Sequence, residues 1–412
     1  MKNLFKKINS CRIENDNNLF KIADIGPLTL TGTFLKNKND KIPSTPLSIV
    51  YSKKSHLLQL EHNYSQKQLF GENYGYRSSL NDSMKNHLMN KSKILSKKLN
   101  LKKGDSILDI GSNDGTFLNS FQKNITKYGV DPTGKKFKKY YDKNIKLIPK
   151  LFDDNVIKNK KIKFKLISSI AMFYDLPNPR KFCSTVGKYL DKEGIFHVEV
   201  AYLPDILKKF SFDTFCQEHL TYFSFLSFHH LIKQTPFKIT DFSRNSINGG
   251  SINFNLAFKD SKIKIKNTKI EKLIKYEKNL NIHKLKTYKK FFNEIKFNAK
   301  KINSLITNLK KKNKKIYGFG ASTKGNVILQ ISGLNSKFIS GIYDVNPFKF
   351  GRYTPGSKIK IKNEKDIFSD KPDYLLLLIW HFSKTLKLKI KKFKNLKLIY
   401  IWPFPNLKLS KK

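Results

Sequence analysis

Short apolar runs alternate with stretches of helical spacing along most of this chain. Within Ser44 to Tyr64, the pattern PLSIVYSKKSHLLQLEHNY predicts two short strands joined by a polar turn. A polar, tyrosine-rich segment, LFGENYGYRSSLNDSM, leads into a helix that runs to about Asn100. Between Lys103 and Val200, the runs ILDIG (107–111), YGVD (128–131), FKLISSI (164–170) and IFHVEV (195–200) predict strands. Stretches between them, such as Pro179 to Leu190, have helical spacing. Alternation of this kind predicts a parallel sheet with helices on both faces. Residues 262–315 are lysine-rich, carry apolar residues at helical spacing and contain no Pro or Gly. They predict one or two long solvated helices that link domains. From Lys314 the βαβ rhythm resumes through KKIYGFG, a helix, FISGIYDV and DYLLLLIW, predicting a second, smaller α/β unit.

Composition adds bounds to this picture. A chain of 412 residues suggests two or three domains. With 39% hydrophobic and 13% aromatic residues, wholesale disorder is excluded. Three cysteines, Cys11, Cys183 and Cys216, cannot form a disulfide framework or a four-thiolate zinc site. The longest purely apolar run, Tyr374 to Trp380, is far short of the roughly 20 residues that span a bilayer. Met1 to Ser10 lacks the apolar stretch of a secretory signal. The expectation is a soluble, cytoplasmic protein with no membrane partner; a homo-oligomer is compatible with it.

The formal charge is +50, from 81 Lys+Arg against 31 Asp+Glu. Such a balance points first to nucleic acid or an anionic surface. The excess is nearly all lysine, however, spread along a chain that is also rich in Asn, Ile, Phe and Tyr, as AT-rich codon usage produces. No helix-turn-helix, zinc-finger or RNA-recognition signature accompanies it. No specific nucleic-acid partner is therefore expected, although anionic substrates would be attracted.

The clearest chemical signal is SILDIGSNDGTFL, Ser106 to Leu118. A buried strand ends at Gly111, and a helix is expected to begin around Gly115. The glycines allow a tight turn and close backbone approach to a ligand. The spacing is not the G-x-G-x-x-G of dinucleotide enzymes, and Asp109 and Asp114 would repel a phosphate but suit a cation. S-adenosylmethionine carries a sulfonium, an ammonium and two ribose hydroxyls. Asp131, twenty residues after Gly111, closes the next strand and could accept both hydroxyls. The expected donor contacts are Asp109, Gly111, Asn113, Gly115 and Asp131; the alternative is a structural turn with capping acids. A second glycine cluster, IYGFGASTKGN, also follows a strand. Its free amides and the donors Ser322, Thr323 and Lys324 suit a phosphate. Contact with a substrate's diphosphate or nucleoside, a structural turn and a dinucleotide site all remain open there.

These features resemble the class I S-adenosylmethionine-dependent sugar C-methyltransferases, which act on nucleotide-linked keto-sugars. The resemblance rests on NYGYRSSLNDSM (73–84), DPTGKKF (131–137), FCQEHLTYFS (215–224), NGGSINF (248–254), YGFGASTKGN (317–326), DVNPFKFGRYTPG (344–356) and PDYLLLLIW (372–380), in order. It implies a Rossmann-like α/β methyltransferase domain (86–260), preceded by a small zinc-binding module (1–85). A helical linker (261–313) and a smaller Rossmann-like substrate domain (314–412) would follow. The module departs from the family. Its cysteine pairs survive only as Cys11, with Glu14, Tyr51 and Ser55 at the other ligand positions, and His56 and His62 do not restore a tetrahedral set. No structural zinc is expected, and the module should be held by packing alone.

Methylation of a carbon beside a ketone needs a base for the α-proton and donors for the enolate oxygen. The donor methyl must also lie in line with that carbon. By resemblance, His219 is the base, Glu218 its acid partner, and Tyr76 a tyrosine that closes over substrate, with Tyr74 a second candidate. Tyr222 lies three residues beyond His219, on the same side if this stretch is helical. Arg77 and Asn326 complete the expected substrate contacts. The bland alternative is a helix-capping Glu218 and a satisfied buried His219. Other functions compatible with the chain are O- or N-methylation of a related nucleotide-sugar, a basic nucleic-acid-binding protein of this fold and an NAD-dependent oxidoreductase.

Overall fold

The computed structural model describes residues 4–71, 74–157, 161–380, 383–393 and 395–411; Glu72 and Asn73 of the tyrosine-rich motif lie outside them. Its central sheet has seven strands: Ser106–Ile110, Thr126–Val130, Ile145–Ile148, Phe164–Ile170, Leu190–Ala201, Phe237–Asn245 and Ser251–Phe258. Counted along the chain, they lie in the order third, second, first, fourth, fifth, seventh, sixth. The first five are parallel, and the last two form an antiparallel hairpin at one edge. This is the Rossmann-like arrangement that the resemblance implies. The first strand is flanked by the second and the fourth, so the connections leave in opposite directions at its carboxyl end. In open α/β sheets, that switch point opens a crevice for ligands. Ile107, Leu108 and Ile110 are buried because helices cover both faces of the sheet.

The C-terminal unit repeats the theme with six strands, from Ile316–Phe319 to Lys408–Ser410. Their order is third, second, first, fourth, fifth, sixth, and only the last is antiparallel. The N-terminal module is an antiparallel sheet of Leu19–Thr29, Ser44–Ser52 and Leu57–Leu60. Its fourth strand, Thr221–Tyr222, is lent by the EHLTYFS motif of the following domain. Glu218 and His219 immediately precede that strand, so the pairing fixes them where the module meets the central domain.

Residues 262–315 do form two helices, Asn267–Asn279 and Leu285–Lys311. They are not a solvated linker. The longer one buries Tyr288, Phe291, Phe292, Ile295, Ala299, Ile302, Ile306 and Leu309 along one face. Tyr288 packs on Tyr51 of the module, and Phe292 on Phe215. This stripe is part of one apolar core shared by the N-terminal sheet and the C-terminal unit. Burial at about 25 cal/mol per Å² makes such a stripe the cement between domains rather than a spacer.

The module is not held by packing alone. Arg12 is buried, with its guanidinium donating to the carbonyls of Leu60 (3.2 Å) and His62 (2.8 Å). The four expected ligand positions are spent on other contacts. Cys11 Sγ meets Ser55 Oγ at 3.1 Å, and Tyr51 Oη meets His56 Nδ1 at 3.1 Å. Glu14 binds His230 (2.6 Å) and Lys54 (3.3 Å), tying the module to the helix Phe225–Lys233. Among the described residues, no three His, Cys, Asp or Glu side chains form a metal-binding group. These side chains do not fit a tetrahedral zinc. Elemental analysis of purified protein should find well below one zinc per chain. Cys11→Ser should cost less than about 1.5 kcal/mol of stability, the scale of one exchanged hydrogen bond. Stoichiometric zinc, or unfolding of Cys11→Ser relieved by zinc, would contradict this.

A buried charge cluster links the helix Asp82–Leu99 to the central sheet. Glu199 accepts from His87 (2.8 Å) and Lys91 (2.6 Å). Burial opposes its ionisation, but the His87 hydrogen bond and the Lys91 charge outweigh that and hold its pKa at about 2, below the ordinary 4.5. A lowered carboxylate pKa stabilises the fold above the unfolded value and ceases to do so as pH falls. Urea titrations should therefore show stability falling between about pH 4.5 and pH 2. Glu199→Gln should be less stable at pH 7 and lose less across that window. Equal pH dependence in both proteins would remove Glu199 from this role.

Candidate active site

The donor loop follows directly from the central strand. After Ile110 the chain turns at Gly111 (φ 81°), where a Cβ would press on the Met172 side chain. Asn113 and Gly115 also take left-handed conformations. The helix expected to begin around Gly115 is Thr116–Asn119, a single turn. The Asn113 N–H donates to Asp131 Oδ2 at 2.8 Å, and Asp131 Oδ1 accepts from both the N–H (2.7 Å) and the hydroxyl (2.5 Å) of Thr133. A carboxylate offers about four lone pairs. As arranged, three of those sites are already taken by Asn113 and Thr133. Burial, the largest influence, raises its pKa. Asp109 is buried, accepts the Ser168 hydroxyl at 2.6 Å, and is pushed up to about 7 by burial. Asp114 accepts the Thr116 hydroxyl at 2.6 Å and the Ser79 N–H at 3.0 Å.

A cavity of about 590 Å³ opens over this loop, lined among others by Gly111, Asn113, Asp131, Tyr74, Tyr76 and Asp175. Cavities of this size suit small-molecule ligands and cofactors. Tyr74 and Tyr76 sit on a strap that several elements clamp. Ser78 N–H donates to Asn113 Oδ1 (2.9 Å), Lys136 Nζ to the Tyr74 carbonyl (2.7 Å), and Asn346 Nδ2 to the Gly75 carbonyl (3.1 Å). Arg77 does not line the cavity. Its guanidinium stacks on Tyr140 at 4.2 Å and faces Asp114 at 3.8 Å.

Glu218 and His219, the expected base and its acid partner, lie in a turn rather than a helix. The helical argument for Tyr222 therefore fails: it lies in the strand Thr221–Tyr222, with its ring on Phe215 at 4.2 Å in the apolar core. Glu218 Oε2 accepts the Thr31 hydroxyl at 3.2 Å, and Oε1 has no hydrogen-bond partner among the described residues. Burial raises its pKa. Gly32 must lack a side chain, because a Cβ there would strike the Glu218 carboxylate and touch the Tyr74 ring. His219 Nδ1 lies 2.7 Å from the Thr214 carbonyl, so Nδ1 carries the hydrogen and Nε2 keeps a lone pair. Its ring packs edge-on against Tyr174 at 4.7 Å. Burial first, and the Lys324 charge after it, lower its pKa to about 4, which leaves it neutral at pH 7. Neither residue lines the cavity; Glu218 lies beside the cavity-lining Tyr74, and His219 packs on Tyr174, the chain neighbour of the cavity-lining Asp175.

The C-terminal glycine loop does not line this cavity. Ser322 Oγ caps the helix Thr323–Ile331 by accepting the Gly325 N–H at 2.9 Å. Lys324 Nζ donates to the Asn248 carbonyl at 2.9 Å, and Asn326 Nδ2 to the Thr31 carbonyl at 2.7 Å. The loop thus stitches three parts of the chain together around Glu218 and His219; Thr323 stands partly exposed at the helix start. Asp344 accepts the Ala321 N–H at 2.8 Å, as Asp131 does for Asn113. Sequence reasoning missed Thr31, Gly32, Tyr174 and Asp175. None of the four belongs to a motif that local spacing marks out.

A sheet of this order, with a glycine loop after its first strand and an acid closing its second, defines a class I S-adenosylmethionine-dependent methyltransferase. The matching family models and a sequence relative agree. Residues 84–241 match the family model of the methyltransferase domain, and residues 246–405 that of the C-methyltransferase C-terminal domain. The C-methyltransferase NovU of Streptomyces niveus is 28% identical over 94% of this chain and 93% of its own. A solved methyltransferase from Bacillus halodurans covers 41% of this chain and 99% of its own, at 12% identity and a TM-score of 0.34. The plantazolicin methyltransferase BpumL, solved with SAH, covers 42% of this chain and 83% of its own, at 12% identity and a TM-score of 0.34. The chain is an S-adenosylmethionine-dependent methyltransferase, and its matches support a C-methyltransferase. Among the described residues, no helix is long and apolar enough to cross a membrane.

Proposed function

We propose that the enzyme methylates a ring carbon next to the ketone of a nucleotide-linked deoxy-keto-sugar, with His219 as the base that forms the enolate. The observation that carries this reading is the His219 imidazole: Nδ1 is committed to the Thr214 carbonyl at 2.7 Å, which leaves Nε2 as a neutral acceptor. A base of this kind has no task in simple alkylation of a neutral amine, but removal of a carbon-bound proton requires one. When bound, S-adenosylmethionine supplies an electrophilic methyl group. Asp109, Gly111, Asn113, Gly115 and Asp131 would hold it, with Asp131 on a ribose hydroxyl. Tyr74 and Tyr76 would cover the sugar, and Glu218 would hold the polar side of the sugar beside His219. The start of the helix Thr323–Ile331, with Ser322, Thr323 and Lys324, would receive the diphosphate, and Asn326 would brace that loop against Thr31. The net positive charge favours such an anionic substrate. Incubation with labelled S-adenosylmethionine and a panel of nucleotide keto-sugars tests the substrate class. Label in a nucleotide-sugar product, read by mass spectrometry, supports it; methylation confined to uncharged small molecules would overturn it.

A further inference from the structure

Asp175 follows the strand Phe164–Ile170, in the loop AMFYDLPNP. Its neighbours Phe173 and Tyr174 are buried, and its own N–H donates to the Met172 carbonyl at 2.9 Å. The backbone is thereby pinned, and Asp175 lines the same cavity as Tyr74, Tyr76 and Asp131. Oδ1 is buried and has no hydrogen-bond partner among the described residues. Leaving a buried polar oxygen unpaired costs about 1–3 kcal/mol, so a cavity-lining residue whose carboxyl group carries one would gain from a polar partner on a ligand.

We propose that Asp175 is a further catalytic residue, whose carboxyl group donates a hydrogen bond to the ketone oxygen of the substrate and holds the charge that gathers there. The proposal rests on the keto-sugar reading above. Burial, and after it the Glu218 charge, push the Asp175 pKa well above the carboxylate range. Two nearby buried carboxyls cannot both ionise cheaply, and a neutral acid is a donor that an ionised one is not. In the step, the α-proton passes to His219 Nε2. The C–H pair becomes a C=C bond, and the carbonyl π pair moves onto oxygen, toward Asp175. The carbonyl then re-forms as the α-carbon takes the methyl group and the S–CH₃ pair returns to sulfur. Asp175 keeps its proton throughout.

The test compares Asp175→Ala with Asp175→Asn, because the amide still donates. Asp175→Ala should slow methyl transfer about 10²–10³-fold, the usual effect of losing one oxyanion donor. It should slow exchange of the sugar's α-proton into heavy water by a similar factor, with SAH in place of the donor. SAH affinity, measured by calorimetry, should stay within about twofold, which also certifies the fold. Asp175→Asn should recover most of both rates. Equal rates in wild type and Asp175→Ala, or Asp175→Asn as slow as Asp175→Ala, would overturn the assignment to Asp175 alone. A wild type that methylates oxygen or nitrogen with no α-proton exchange would overturn the keto-sugar reading along with it. A measurement free of substrate is the infrared difference between wild type and Asp175→Asn at pH 7. A protonated carboxyl band is expected, and its replacement by a carboxylate band would refute the proposal even if no variant turns over.

Discussion

His219→Ala should slow methyl transfer by about 10²–10⁴-fold, the range that a positioned general base contributes. Both ligands should still bind, because His219 lies outside the donor cavity and its partner is the Thr214 carbonyl. The wild-type pH profile gives a second check. A base must be unprotonated to work, and the His219 pKa is lowered to about 4. The rate should therefore hold as pH falls through 6.5, where an ordinary histidine would protonate, and decline only toward pH 4. An enzyme that loses half its rate near pH 6.5, or a His219→Ala variant with full turnover, would remove His219 from the chemistry.

The second large effect concerns the donor. Asp131→Ala deletes a buried acceptor that also fixes the Asn113 N–H at 2.8 Å. A hydrogen bond to a charged acceptor contributes roughly 1.5–3 kcal/mol, so affinity for S-adenosylmethionine should fall about 10–150-fold. Asn113 also holds the strap through Ser78 N–H, so Asp131→Ala should in addition loosen Tyr74 and Tyr76. Calorimetry that finds unchanged affinity would place the ribose elsewhere.

Much of the fold was legible because local pattern and tertiary role coincide. ILDIG and YGVD are short buried runs that end at turns, and they became the neighbouring strands that carry the donor loop and Asp131. The edge strands were not legible. Ile145–Ile148, Ile361–Asn363 and Lys408–Ser410 are three or four residues long, contain lysine, and exist through pairing with one neighbouring strand each. The two-residue strand Thr221–Tyr222 is the extreme case, since nothing local distinguishes it from a loop. The stripe from Tyr288 to Leu309 was visible at helical spacing, but the surrounding lysines disguised how much of it is buried. In the site, glycines and motif acids could be found from their spacing. Asp175 could not, because its significance lies in an unpartnered buried oxygen on a cavity-lining residue, which only the packing reveals. The number of free lone pairs on Asp131 is likewise a property of the folded loop.

The central claim is that the methyl group goes to carbon by way of an enolate. It is tested most directly by supplying S-adenosylmethionine with a ¹³C-labelled methyl group together with nucleotide-linked keto-sugars, and reading the product by carbon NMR. The account predicts a labelled methyl with one-bond carbon–carbon coupling to a uniformly ¹³C-labelled sugar ring, at the carbon beside the ketone. A labelled methyl attached to oxygen or nitrogen, with no carbon–carbon coupling, would contradict it.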